Sequence, residues 1–281
     1  MRPGSRVLAL GRRDPAMTTG LVLLLAIATM ALVAPALADP NAVDVTRRLA
    51  PPSMSTPMGT DHLGRDELSR VMHGARTSFA IAALVVTLKV TIGMLVGAAA
   101  GYLGRLVDAT LMRATDLVLA FPGLVLALVI TALLGPSTTN LALALAAVGW
   151  VTYARLVRAT IRSTRAMPFV EASTAIGCRD ATIVTRHILP HLLAPLLVLA
   201  TLDIGHTILA VSSLSFLGLG IQPPTPEWGA MLTDGKNFME TAPHLMIFPG
   251  LMIVLSVLAF NLLTDSLRDA LDPRAQQRVE V

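Results

Sequence analysis

Charge is what this sequence has least of. Lys, Arg, Asp and Glu make up 14% of its 281 residues and hydrophobic residues 54%, against about 25% charged in an ordinary soluble domain. Mean hydropathy is +0.68. A water-soluble globule is excluded, and the length is spent on apolar spans with short connections, as one membrane domain. Lysine is nearly missing: of 22 basic residues only Lys89 and Lys236 are lysines. The net charge of +4 is therefore an arginine charge. Where the arginines fall decides between anionic lipid, membrane topology and nucleic acid as its purpose. Cysteine occurs once, as Cys178, which excludes an intramolecular disulfide and a multi-cysteine metal cluster within the chain. Absent too is any G-x-x-x-x-G-K-[ST] loop, so the chain has no Walker A loop to cradle ATP phosphates.

What is present is a series of apolar runs. The first, GLVLLLAIATMALVAPALA (Gly20–Ala38), follows Arg2, Arg6, Arg12 and Arg13. It reads either as a retained span, long enough for a bilayer core of ~30 Å, or as a cleavable secretory signal ending before Asp39; its length favours the span. Further spans are expected at Ser78–Tyr102, Leu111–Leu134, Leu141–Val157, Pro195–Leu219 and His244–Leu263. The fold class is thus an all-α integral membrane protein with six transmembrane helices.

Basic residues flanking spans are retained in the cytoplasm. With the N-terminus inside, the inward segments hold Arg105, then Arg155, Arg158, Arg162, Arg165, Arg179 and Arg186, and finally Arg268, Arg274 and Arg278. The outward loops near 135–140 and 220–243 hold only Lys236. The stretch 39–77 mixes Arg47, Arg48, Arg65, Arg70 and Arg76 with Asp39, Asp44, Asp61, Asp66 and Glu67, and near-balanced charge weakens its vote. The expected organisation is a cytoplasmic tail 1–19, a first span 20–38, an extracytoplasmic segment 39–77, a five-helix core 78–265 and a cytoplasmic tail 266–281. Both termini face the cytoplasm, and the arginines read as topology signals before they read as a DNA-binding patch.

One inward segment, EASTAIGCRDATIVTRHILPH (171–191), has internal order. Phe169–Ile176 has good helix formers after Pro168, a favoured first-turn residue, and Gly177 suits the left-handed position that ends a helix. Asp180 can cap a second helix running to Leu189, which Pro190 constrains without necessarily ending. Glu171-Ala172, Gly177 and Leu189-Pro190 together resemble the EAA loop of ABC importer permeases, with Ser173 where alanine is usual and His187 where isoleucine is usual. Three further stretches resemble the peptide and nickel importer branch: GTDHLGRDELSRVMHGARTSF (59–79), SFLGLGIQPPTPEWGAML (215–232) and AFNLLTDSLRDALDPR (259–274). The resemblance runs from about residue 20 to 274.

That resemblance implies a fold and a set of partners. The loop at about 160–192 would dock on an ATPase subunit through Glu171, Ala172, Ser173, Gly177, Arg179, Leu189 and Pro190. The chain would pair with a second homologous permease, two ABC ATPase subunits that bind the ATP and Mg, and an extracytoplasmic substrate-binding protein. It holds no cofactor, does no chemistry itself and sits in a bacterial inner membrane. Nickel or a metal chelate leads as cargo, with di- and oligopeptides next. An ion-coupled secondary transporter and a membrane-anchored nucleic-acid-binding protein are the readings from other classes; the partner set includes no nucleic acid.

Within the spans, Gly93, Gly97 and Gly101 recur at four-residue spacing on one face and let another helix approach closely. Lys89, Asp116, Asp203 and His206 are ionisable groups in or near apolar spans, and such groups face a partner or a cavity. Asp116 can be solvated at its span's inner end. An ion pair with Asp203 is the plainest role for Lys89. Asp203 and His206 share a helix face, and LVLATLDIGH (197–206) resembles nickel-type permeases more than dipeptide-type ones. Imidazole with carboxylate suits a transient divalent metal or its chelate; an interhelical hydrogen bond remains the alternative. These three, Lys89, Asp203 and His206, are the candidates for the translocation path.

On the outward face, Pro223, Pro224 and Pro226 prevent a continuing helix, and EWGAMLTDGKNFM forms a short helix with Trp228 at headgroup depth. That loop serves either a binding protein or the outer mouth, or it is a plain connector. Asp61, Arg65 and Asp66 form a charged network and, with Trp228, are the candidate contacts for a binding protein. His187, His191 and Cys178 are read as structural.

Overall fold

The computed structural model describes residues 15–36 and 39–271. The tail arginines Arg2, Arg6, Arg12, Arg13, Arg274 and Arg278 and the end of the first apolar run at 37–38 lie outside the described residues. Among the described residues every regular element is helical, apart from one isolated antiparallel bridge between Thr60 and Asp66. In chain order they are α1 (Pro15–Val33), α2 (Glu67–Tyr102), α3 (Arg105–Leu119), α4 (Gly123–Leu134), α5 (Thr138–Arg165), α6 (Pro168–Ala175), α7 (Asp180–Ile183), α8 (Leu189–Phe216), α9 (Trp228–Gly235) and α10 (His244–Leu271). Short 3-10 turns sit at Ala34–Ala36, Val45–Arg47 and Lys236–Phe238, and a π turn at Val184–Ile188 joins α7 to α8.

Among the described residues five helices are long and apolar enough to cross a bilayer, or six if α3 and α4 count as one span. The expected span at Leu111–Leu134 is not one continuous helix: α3 and α4 meet at 86°. Pro122 is the reason. It has no N–H to donate and disfavours helical geometry at Phe121. The first helix closes with Ala120 N donating to Asp116 O at 3.0 Å, and the next opens with Leu126 N donating to Pro122 O at 3.0 Å.

Helix α2 begins at Glu67 rather than Ser78, so part of the expected outer segment is helix. Its 36 residues reach about 54 Å at 1.5 Å per residue, well beyond a ~30 Å hydrocarbon core. Asp66 starts it: its carboxylate accepts from Ser69 N at 2.8 Å, satisfying one of the amides that the first turn leaves open.

The described residues fall into two compact units built from discontinuous segments, those within 15–84, 128–142 and 201–271 and those within 85–127 and 143–200. In the first, Val71, Ala75, Trp228, Met231, Ile253 and Phe260 lie at the centre of a buried cluster. Helix α1 lies against α10, so closely that a Cβ at Gly20 would stand 3.0 Å from Ala259 O and 3.1 Å from Leu262 Cβ. Trp228 is fully buried, meets Phe79 edge-on at 6.0 Å and donates from Nε1 to Val71 O at 3.0 Å. Its indole N–H thus finds its acceptor inside the unit, as a buried tryptophan requires.

The second unit is organised by the glycine face of α2 against α5. A Cβ at Gly93 would overlap Tyr153 Cβ and stand 2.8 Å from Trp150 O; at Gly97 it would stand 2.5 Å from Ala154 O, and at Gly101 3.0 Å from Ile161 Cβ. The close approach read from the spacing is observed, and Tyr153, Val157 and Ile161 form with Val170, Ile183 and Ile188 the unit's core.

Candidate functional site

Residues 165–192 form the helix pair that the sequence outlines. Met167 precedes α6 in extended conformation with Pro168 at its first position, where the missing N–H costs nothing. The helix ends through Gly177 at φ +81°: Gly177 N donates to Thr174 O at 3.0 Å and Cys178 N to Ser173 O at 3.1 Å, a left-handed termination that satisfies the last carbonyls. Nothing lies within 4 Å of a Cβ built at Gly177, so its backbone angle alone calls for glycine. Val170, Ile183 and Ile188 turn inward. Glu171, Ala172 and Arg179 are exposed, as is Pro190, while Ser173 and Leu189 are half-buried. Ile176 is 80% exposed, a large apolar side chain at the tip of the turn to which sequence reading gave no role.

The second helix starts at Asp180, whose side chain lies outside what is described, and passes through the π turn into α8 without a break at Pro190. Phe169 ties the pair together. Its ring packs on His187 at 5.5 Å and on His191 at 5.9 Å, while His191 Nδ1 pairs with His187 O at 2.8 Å. The two histidines thus have packing roles. Beside Glu171 is a cleft of about 400 Å³ bordered by Tyr102, Arg165, Thr174 and Ile183.

Ion pairs that the sequence did not announce hold α3 to α5. Asp108 accepts from Arg158 Nε, from Arg158 Nη2 at 2.6 Å and from Arg162 Nη1 at 3.0 Å. Asp116, read as solvated, pairs with Arg155. A signal was available: Asp108 and Asp116 are eight residues apart and Arg155, Arg158 and Arg162 follow at three and four, two charged stripes of opposite sign with helical period.

In the other unit, Asp61 and Arg65 form the expected charged network, with two members added. Arg65 Nε meets Asp61 Oδ2 at 2.5 Å, Arg70 Nε meets the same oxygen at 3.6 Å, and Arg65 and Arg70 approach Asp234 at 3.6 and 3.7 Å. Asp66 caps α2. Asp61, Arg65 and Trp228 keep 3%, 4% and 0% of their surface, so three of the four side chains named as contacts for a binding protein are internal. Their charges are matched within the unit, and they hold the segment in shape. Glu227, to which the sequence gave no role, is fully buried. It accepts from Ser78 Oγ and Ser212 Oγ at 3.2 Å and caps α9 through Ala230 N at 2.9 Å.

Asp203 and His206 lie on α8, the first half-buried and the second exposed; Thr207 Oγ1 donates to Asp203 Oδ1 at 3.5 Å. Among the described residues no third His, Cys, Asp or Glu gathers with them. Lys89 is 7% exposed and its aliphatic stem fills the space that a Cβ at Gly149 would take.

Comparison with known proteins places these features. Residues 90–277 match the family described as binding-protein-dependent transport system inner membrane component. The dipeptide transport system permease protein DppC of Alkalihalophilus pseudofirmus is 42% identical over 91% of this chain and 84% of its own. The nickel transport system permease protein NikC of Escherichia coli is 43% identical over 84% of this chain and 85% of its own. The glutathione transport system permease protein GsiD of Pectobacterium atrosepticum is 42% identical over 94% of this chain and 88% of its own. With its apolar helices and the match over most of its length, the chain belongs to the inner-membrane permeases of binding-protein-dependent ABC transport systems.

Proposed function

We propose that this chain lines, with a second related permease, the translocation path of an ATP-driven importer whose energy comes from two ATPase subunits that hold ATP and Mg. A single observation carries the coupling role: α6 is a short rigid helix, locked at both ends by Pro168 and Gly177, that exposes Glu171, Ala172 and Ile176. Seated in a groove on an ATPase, such a helix transmits closure of the nucleotide sites to α5 and α8, the two long helices joined to it. Both termini lie in the cytoplasm, as the arginine distribution requires. The packing of α1 along α10 supports α1 as a retained span. A substrate-binding protein delivers cargo to the opposite face, and the buried Asp61–Arg65–Arg70 network shapes the segment it meets.

Nickel or a nickel chelate is the cargo this reading puts first, on Asp203 and His206 of α8. Among the described residues no third His, Cys, Asp or Glu joins these two donors, which suits a brief contact, since a tight site would trap the cargo. Short peptides are the second reading, favoured by relatives named for dipeptide and glutathione transport at 42% identity, level with the nickel relative at 43%. The test is reconstitution of the permease pair with its ATPases and binding protein in proteoliposomes. Stimulated ATP hydrolysis and uptake with nickel chelates, and not with di- or tripeptides, is expected; the reverse moves the assignment to peptides. Uptake that persists without the ATPases refutes the ATP-driven reading.

A further inference from the structure

A second cleft in the unit that contains α3, about 470 Å³, opens where α2 turns into α3 and is bordered by Gly101, Gly104, Arg105, Asp108, Arg162 and Arg165. Its charge is unbalanced. Both oxygens of Asp108 are taken by Arg158, and Arg162 shares one of them at 3.0 Å, so that carboxylate is already matched before Arg105 and Arg165 are considered. Arg105 is exposed and makes no ion pair among the described residues. Arg165 is held at the wall by its place over the Tyr102 ring, 4.6 Å from the centroid, and by a 3.4 Å bond from Nη1 to Gly101 O. Pre-set guanidinium groups around an open cleft suit a phosphate, which accepts several N–H bonds at once.

Two further features narrow the ligand. Helix α3 starts at Arg105 with no side chain capping it, so the first-turn amides of this 15-residue helix add donors and positive potential beside the arginines. Gly104 has φ +100° and no neighbour within 4 Å of a built Cβ, which keeps the rim bare. On either side of that glycine Leu103 and Leu106 stand 66% and 85% exposed. A soluble anion has no use for leucines at the rim, whereas a lipid does.

We propose that this cleft binds the phosphate of an anionic phospholipid such as phosphatidylglycerol, with its acyl chains over Leu103 and Leu106. Basic pockets between helices on the cytoplasmic side of a membrane protein recognise such headgroups, and each arginine near the surface contributes about fivefold in affinity. The inference needs the chain to sit in a bilayer and asks nothing of cargo or ATPase.

The test is native mass spectrometry of the full-length protein released from nanodiscs containing equal phosphatidylglycerol and phosphatidylcholine. Wild type is expected to retain phosphatidylglycerol preferentially, Arg105→Gln/Arg162→Gln to lose that preference by about tenfold or more, and Arg113→Gln, exposed on the same helix away from the cleft, to keep it. Equal retention of the two lipids by wild type, or an unchanged preference in the double variant, overturns the proposal. Inorganic phosphate raising the melting temperature of lipid-stripped protein as far as phosphatidylglycerol does assigns the cleft to a free anion and also overturns it. A double variant that keeps its lipid preference but no longer copurifies with the ATPase assigns the arginines to subunit docking instead. Because retention is read without transport, failure here leaves the importer reading standing, and failure of that reading leaves this result intact.

Discussion

Trp228 Nε1 donates to the carbonyl of Val71 at 3.0 Å, a bond between positions 157 residues apart in sequence. It fixes the short helix α9 to the long helix α2 at a point where both are buried. Trp228→Ala removes the largest fully buried side chain of the unit and is expected to cost about 3–5 kcal/mol. Trp228→Phe keeps most of the packing and loses the bond, about 1 kcal/mol. Thermal unfolding of the detergent-solubilised protein orders the three; equal melting of wild type and Trp228→Ala would show that the indole is not a structural anchor.

The glycine face of α2 makes a graded prediction. Gly97→Val must displace Val157 and the Ala154 carbonyl, which a Cβ would approach to 2.7 and 2.5 Å, and should destabilise by at least about 1–3 kcal/mol. Gly123→Ala faces only Val148 Cγ1 at 3.4 Å and should be close to neutral. Yield of monodisperse protein and melting temperature both report it, and a Gly97→Val variant as stable as Gly123→Ala removes close helix approach as the explanation.

Much of this was legible because lipid imposes simple rules. Apolar runs give spans, and glycines four apart give a contact face; the helix pair closed by Gly177 follows from local chemistry alone. What stayed hidden depends on residues far apart in sequence. Nothing near Trp228 reveals that Val71 O will accept its hydrogen bond. Asp108 and Arg158 are 50 positions apart, and only their matched periodicity hinted at a pair. The bend at Pro122 was missed for a different reason: the apolar run on either side is continuous, and hydropathy does not register a missing N–H. The start of α2 was missed because its first turns are charged, although Asp66 carries an ordinary N-cap signal.

The Asp61–Arg65–Arg70–Asp234 network should behave as a buried ionic unit. Arg70 is 3% exposed, and Arg70→Met leaves Asp61 with one guanidinium instead of two. Removing one partner from a buried network is expected to cost about 3–5 kcal/mol. The exposed pair Arg155–Asp116, with side chains 46% and 63% exposed, supplies the contrast: Asp116→Asn should cost under about 1 kcal/mol. Melting curves at low and high salt distinguish them, since added salt should weaken only the exposed pair. A salt-sensitive loss in Arg70→Met contradicts the burial.

At the helix pair, Gly177 and Glu171 separate backbone from surface. Gly177→Ala meets no atom and suffers only the left-handed angle, about 1–2 kcal/mol, so the protein should insert and fold while α6 loosens. Glu171→Lys leaves α6 intact and reverses the charge on its exposed face. Both are expected to lower cargo-stimulated ATP hydrolysis, Glu171→Lys together with ATPase copurification and Gly177→Ala with copurification largely kept. Wild-type hydrolysis and copurification in both variants reduces the pair to a linker.

Cargo turns on Asp203 and His206. They are three apart on α8, half-buried and exposed, with Thr207 Oγ1 on Asp203 at 3.5 Å as a neighbouring donor. If this face meets nickel or its chelate in passage, His206→Ala removes the borderline nitrogen donor that suits the metal and Asp203→Asn removes the carboxylate charge. Each is expected to lower nickel uptake by about tenfold, which is roughly 1.4 kcal/mol of transition-state stabilisation. Basal ATP hydrolysis and subunit assembly should be unchanged. His206→Cys, which restores a metal donor at the same place, is the control and is expected to recover nickel uptake. Uptake as low in His206→Cys as in His206→Ala shows that the residue shapes the path without reading the metal. Full nickel uptake in both variants removes them from the path altogether and places any contact with the metal elsewhere.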